Sequence, residues 1–287
     1  MTIGAGGRIA AAMLGAWIMA GAAADEDTPW LLGDWGGQRT ALAARGFDFE
    51  FVATVDVLGT VSGGLDAGWE APANFDLVMT VDTASAGWWQ NGTFNLYFLG
   101  NAGGDPSTRT GDYQIASNIE APDTFKLFEA WYEHRFFDDR ISVLAGLHDM
   151  NSEFYVTEHG LMFINSSFGI GPEAGQVLPS MFPTTSLGLR LRVAPTHNSY
   201  VIAGVYDGVP GDPTDPYGTE VAFDDGDGVF GVGEVGLIGD AGRYYKVGVG
   251  AWVSTAEFTD FAGSPHNDNV GVYLIGETDL WRADDGR

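Results

Sequence analysis

From Phe47 onward apolar and polar residues alternate, pause at a break, and alternate again. The clearest stretch runs Phe47-Asp48-Phe49-Glu50-Phe51-Val52-Ala53-Thr54-Val55-Asp56-Val57, apolar at every odd position and polar at the even ones except Val52. A β-strand points successive side chains to opposite faces, so this spacing predicts a sheet with one greasy face and one wet one. Ten such strands are predicted, over residues 47–61, 74–86, 93–103, 124–136, 141–150, 186–194, 199–209, 229–238, 243–258 and 270–281. The breaks between them alternate strictly between short and long. A transmembrane β-barrel with tight turns at one mouth and long loops at the other has that rhythm, whereas a soluble sandwich has no reason to keep it.

Individual strands support two distinct faces. Leu187, Leu189, Leu191 and Val193 share one side, with Ser186, Gly188, Arg190 and Arg192 on the other. A charge facing lipid near the midplane costs about 2–4 kcal/mol, so both arginines are expected to face inward. Glu50, Asp56, Asp76 and Asp82 are their expected partners across the lumen. Leu127-Phe128 and Tyr244-Tyr245 break the alternation, as residues of an aromatic girdle would.

Two segments precede the first strand. Arg8, the apolar run 9–20 and the small residues Ala22-Ala23-Ala24 read as a secretory signal peptide over residues 1–24. The run is too short for a spanning helix, which needs about 20 residues. Within residues 25–46, the stretch 34–45 predicts a short amphipathic helix, with Asp34 at its start and Gly46 at its end, resting in or under the pore. Residues 47–287 then form the barrel domain.

Composition narrows the classes further. The chain has no cysteine, so neither disulfides nor thiolate metal sites can hold it together. A formal charge of −26, from 13 basic and 39 acidic residues, excludes a nucleic-acid footprint. Hydrophobic content of 45% argues against disorder. A barrel reconciles the two, with apolar residues outside and charge gathered in the lumen and loops.

Catalytic chemistry is not indicated. With 39 acids some carboxylate pair will always suit a glycosidase, and no motif singles one out. His134, His148, His159, His197 and His266 have no metal-ligand spacing and read as single surface histidines. Asp225 and Asp227, in the run Asp224-Asp225-Gly226-Asp227-Gly228, are weak calcium-ligand candidates, but the run lacks the rest of a calcium loop and reads as a solvated acidic loop. No cofactor is expected.

Several ordered blocks carry a family likeness. They are Trp30-Leu31-Leu32-Gly33-Asp34-Trp35-Gly36-Gly37-Gln38-Arg39-Thr40, Leu127-Phe128-Glu129-Ala130-Trp131-Tyr132-Glu133, Asn151-Ser152-Glu153-Phe154, Gly188-Leu189-Arg190-Leu191-Arg192 and Gly233-Glu234-Val235-Gly236. In this order they resemble the carbohydrate-selective porin family typified by OprB. The resemblance implies an all-β, antiparallel outer-membrane barrel of roughly sixteen strands, of which about ten are present, and a frame continuing past Arg287. It implies passive diffusion of small sugars with no enzymatic step, in contact with outer-membrane lipid, and leaves a homotrimer open. The rival reading is a secreted soluble calcium- or sugar-binding β-protein. Glu129, Trp131, Glu133, Arg190 and Arg192 are the pore-lining candidates, as donors, acceptors and a stacking platform for a sugar; each equally suits a wall charge that keeps water inside.

Overall fold

The computed structural model describes residues 30–212, 214–219, 221, 226–240, 242–260 and 262–281. The expected signal peptide, residues 1–24, lies outside them. Ten strands form one antiparallel sheet in sequence order: β1 Phe47–Val55, β2 Ala73–Asp82, β3 Gly92–Ala102, β4 Thr124–Phe136, β5 Ile141–His148, β6 Ser186–Thr196, β7 Ser199–Asp207, β8 Val229–Gly239, β9 Tyr245–Ser254 and β10 Asn269–Thr278. Each strand pairs with its sequence neighbours, and β1 and β10 each pair on one side only. Connections at one end are short (83–91, 137–140, 197–198, 240–244), while those at the other are long (56–72, 103–123, 149–185, 208–228, 255–268). The expected alternation of connections holds throughout.

The two faces are chemically inverted relative to a soluble protein. Leu189, Leu191, Val201, Val205, Val235, Leu237, Val247, Val249 and Val253 stand exposed on the outer face. Asn74, Asp76, Asn95, Glu129, Arg190, Glu234 and Lys246 are buried on the inner one. Exposed apolar patches on soluble monomers rarely exceed a few hundred Å². Exposed apolar side chains on β1, β2, β4 and β10 extend this face, as expected of a transmembrane sheet. No helix among the described residues is long and apolar enough to cross a membrane.

Several sequence expectations are corrected. The first strand stops at Val55 instead of 61, because Asp56 turns in: its amide donates to the Pro72 carbonyl (3.1 Å) and its carboxylate accepts from Ser117 (2.7 Å). Leu58–Thr60 continues the alternation but pairs with Gly68–Glu70 as a separate hairpin inside the loop. Phe128 breaks parity because it is the extra residue of a β-bulge, not a girdle residue: Tyr97 pairs with Glu129 and Phe98 with Leu127. The buried Phe128 ring packs edge-on to Tyr97 at 5.0 Å. Tyr244 lies in the turn, and β9 begins at Tyr245.

The leading helix is shorter than expected, with a 3-10 turn over Trp35–Gly37 and helix α1 over Gln38–Ala43. Asp34 takes both the amide and the hydroxyl of Thr40 at 2.8 Å. Arg39 stacks on Trp30 (3.9 Å) and donates to the Phe49 carbonyl (2.5 Å). Gly46 turns its carbonyl toward β2, accepting from Asp82. Carbonyls alternate along a strand, so that of Phe49 points away from β2, and α1 therefore covers the outer edge of β1.

Candidate functional site

The longest connection, 149–185, does not stay at the long-loop end. It leaves His148 there and runs down the inner face. Met150, Phe154 and Tyr155 are buried along the way. Tyr155 stacks on Tyr273 of β10 with ring centroids 3.6 Å apart, and its amide approaches Glu234 of β8 at 3.4 Å. One residue further, the Val156 carbonyl accepts from Lys246 of β9 (2.6 Å). His159 then reaches Glu277 and Asp279 beside the 240–244 turn, at the opposite mouth (2.8 and 3.1 Å). The return passes through Asn165 and Ser166, whose side chains donate to the Ile115 carbonyl (3.1 and 2.9 Å).

Two polar clusters hold this loop to the wall. In the first, Arg190 of β6 is almost wholly buried. It donates to Glu153 of the loop through Nε (2.9 Å) and Nη2 (2.6 Å), to Glu133 of β4 (2.8 Å) and to Ser142 of β5 (2.5 Å). Burial raises the Glu153 carboxyl even though Arg190 and Arg192 pull it down. Burial likewise pushes Asp149 up to about 7, against the pull of amide donors from Asn151, Phe182 and Ser152. In the second cluster, Glu234 accepts from Tyr200 (2.6 Å) and Tyr273 (2.7 Å) and is itself fully buried.

The glycines facing these rings are part of the construction. Tyr200 pairs with Gly236, Tyr206 with Gly188, Tyr273 with Gly250 and Trp252 with Gly271. A Cβ at Gly236 or Gly250 would strike the partner ring, so glycine lets each aromatic lie across its rung.

The five pore-lining candidates all fall on the inner face. Glu129 is buried by the loop's root, accepting from the Asp149 amide (2.8 Å) and from Asn95 (3.3 Å). Trp131 meets His148 edge-on at 6.2 Å. Glu133 and Arg190 are joined as above. Arg192 lies half-buried with its guanidinium 5.6 Å from the Tyr200 ring. The structure thus brings Glu129, Trp131, Glu133 and Arg190 together around the loop's start and sets Arg192 toward the tyrosine cluster.

The expected pairing of the arginines with the early acids does not occur. Asp76 accepts from Tyr97 (2.5 Å), Asp56 from Ser117 (2.7 Å) and Asp82 from the Ser85 amide (2.7 Å), while Glu50 is exposed. Nor are all the histidines lone surface residues: His148 is buried against Tyr206 (3.0 Å), and His159 is clamped. Asp225 lies outside the described residues, and among those described no group of three or more His, Asp or Glu could hold a metal ion.

Tyr155, Tyr200, Lys246, Tyr273 and Glu277 were not among the sequence candidates, and His159 was expected only as a single surface histidine. The paired tyrosine and glycine positions on adjacent strands were the available signal.

An antiparallel sheet in strict sequence order, apolar outside, polar inside and crossed by an inward loop, has the architecture of a transmembrane β-barrel wall. The model of the carbohydrate-selective porin, OprB family, matches residues 71–282, and the chain belongs to that family. It is 27% identical over 228 residues to Porin B of Pseudomonas aeruginosa, covering 73% of this chain and 48% of that protein. It is 26% identical over 164 residues to the putative porin QuiX of Acinetobacter baylyi, covering 52% of this chain and 36% of that one. The chain therefore spans about half or less of the length of these curated relatives. The solved high-pH structure of Pseudomonas putida OprB superposes with a TM-score of 0.78 at 21% identity, covering 89% of this chain and 66% of that one, which establishes the shared fold.

Proposed function

We propose that this protein forms an outer-membrane channel through which small carbohydrates diffuse passively, with no enzymatic step. The observation that carries the reading is the loop 149–185 lying along a polar inner face, within a sheet whose other face is apolar on every strand. Such a segment narrows the path; Glu173 of the loop, which accepts from the Tyr155 hydroxyl (3.0 Å), and the half-buried Arg192 beside the Tyr200 ring are polar groups on its two sides. Uncharged polyhydroxylated solutes suit that surface, because they exchange hydrogen bonds with charged groups of both signs and lay their apolar ring faces on tyrosines. Glu129, Trp131, Glu133, Arg190 and Arg192 belong to this wall, with Arg190 fixing the loop and Arg192 the more open to solute. Membership of the porin family and the likeness to Porin B support the channel over a secreted binding protein. Residues 1–24 serve as the export signal, 25–46 as a helical lead and 47–287 as the barrel. Lipid surrounds the outer face, and a homotrimer is compatible with it.

Swelling of proteoliposomes in isosmotic glucose tests the reading directly. Swelling is expected at a rate proportional to the glucose gradient and without any energy source. Inserted, heat-modifiable protein that admits no glucose would refute it.

A further inference from the structure

We propose that His159 is the positioning residue of the inner loop: an imidazolium held between two carboxylates at the short-turn mouth, which fixes the loop along the channel and lets it go on losing a proton. The inference rests on the channel reading above and adds a regulated part to it.

The geometry itself demands the charged ring. His159 Nδ1 lies 2.8 Å from Glu277 and Nε2 lies 3.1 Å from Asp279. A neutral imidazole has one N–H, so one of these contacts would set a bare nitrogen lone pair against a carboxylate. Only the doubly protonated ring donates to both. The charged and titratable groups of the elements around it, among the described residues, include Glu158 from the loop, Glu277 and Asp279 from the end of β10 and just beyond it, and Arg243 and Tyr244 from the 240–244 turn, with the Tyr244 ring 5.6 Å away. The Lys246 ammonium is directed to the Val156 carbonyl. Tyr244 donates to Glu277 through its hydroxyl (2.9 Å) and to Asp279 through its amide (3.2 Å), so the acceptors are held in place whatever the ring does.

Two properties make the clamp a switch as well as a brace. The ring is about half exposed, with 46% of its side chain accessible, so protons exchange from the short-turn side. The carboxylates beside it hold its pKa above the ordinary imidazole value, through the bond to Glu277 first. A group raised in this way stabilises the latched loop at lower pH and loses that contribution as pH rises through its value in the latched state. What remains near the mouth are the Glu158 and His159 amides on Glu277 (2.9 and 3.0 Å), the Lys246 bond to the Val156 carbonyl and the stack of Tyr155 on Tyr273, while Arg190 keeps the loop's root at Glu153, so the release concerns the segment around His159. Losing a charge-assisted hydrogen bond shifts the ratio of latched to released loop by about tenfold.

The test is single-channel conductance of the full-length protein in planar bilayers, with glucose flux in parallel, from about pH 5 to about pH 9. Conductance of the wild type is expected to rise with pH, at a midpoint above that of a free imidazole. His159→Gln should abolish the rise and sit at the released level throughout. His159→Lys, charged up to about pH 10, should stay at the latched level over the range. A wild type that conducts and passes glucose with no pH response overturns the latch and leaves the channel reading standing. So does a pH response surviving unchanged in His159→Gln, which would assign it to Asp149 or another group. Inserted protein passing neither ions nor glucose at any pH overturns the channel reading and the latch with it. If the glutamine variant fails to insert, the wild-type titration against His159→Lys still decides.

Discussion

Replacing Arg190 by methionine removes one charge and nearly no volume, and leaves two carboxylates facing each other. The wild-type guanidinium makes three bonds to carboxylate oxygen, two to Glu153 and one to Glu133. Taken singly at about 1.5–3 kcal/mol, these would sum to roughly 5–9 kcal/mol, but bonds sharing one guanidinium are not additive. The relevant cost is that of a buried charge left without its partner, about 3–5 kcal/mol. Arg135 does not replace the lost cation. It reaches Glu133 at 3.2 Å but is 39% exposed, in the range where an ion pair contributes about 0–1 kcal/mol. Arg190→Met is therefore expected to lower stability by about 3–5 kcal/mol in denaturant unfolding of the detergent-solubilised barrel. Adding Glu133→Gln and Glu153→Gln removes the stranded charge and should recover most of that loss. A loss below about 1 kcal/mol, or no recovery in the triple variant, would show that water already screens this cluster and that the charge argument is wrong.

Two further outcomes are expected. Val249→Arg places a cation mid-strand on the outer face of β9, where Val249 is 54% exposed, and should cost about 2–4 kcal/mol in stability; an unchanged unfolding midpoint would mean that this face does not meet lipid. Burial raises Asp149 to about 7, so the folded loop keeps a proton that the unfolded chain has released. Its stability is then highest below the ordinary carboxylate value and falls as pH rises toward about 7, so Asp149→Asn should flatten the change in unfolding midpoint between about pH 5 and pH 8. A slope equal to that of the wild type would assign the effect elsewhere.

The strand ladder was legible because its signal is local: period-two alternation in each segment decides which face is wet, whatever the partner strand. The same locality misled at Asp56. There Val57, Gly59 and Val61 keep alternating although the ladder with β2 has run out at Ala73, so pattern persisted where pairing did not. At Phe128 the break in parity was visible, but a bulge and a girdle leave the same trace in one dimension. The partners of Arg190 were out of reach for a different reason. Glu133 lies two strands away, and Glu153 arrives on a loop of no regular period, so neither sequence distance nor alternation marks them among 39 acids. Glu129, Trp131, Glu133, Arg190 and Arg192 were readable as inward residues, whereas the loop that gathers four of them was not.

The pairing of Tyr200, Tyr206 and Tyr273 each with a glycine on a neighbouring strand makes this part of the wall a mosaic. A ring at Tyr200 occupies the floor above Gly236, and one at Tyr273 the floor above Gly250, so each tile spans two strands and belongs to neither alone. The bore is then adjustable in whole tiles. Exchanging the two residues of a rung shifts a ring sideways by one strand spacing, about 4.8 Å, at constant side-chain volume. Enlarging one residue without emptying its neighbour only jams the floor. Two such tiles, Tyr200 and Tyr273, meet at the single carboxylate of Glu234, so the shape of the passage there is drawn jointly by β7, β8, β9 and β10. Re-boring the proposed channel is a matter of moving residues in pairs across the sheet, with Glu234 as the fixed stud around which the tiles are laid.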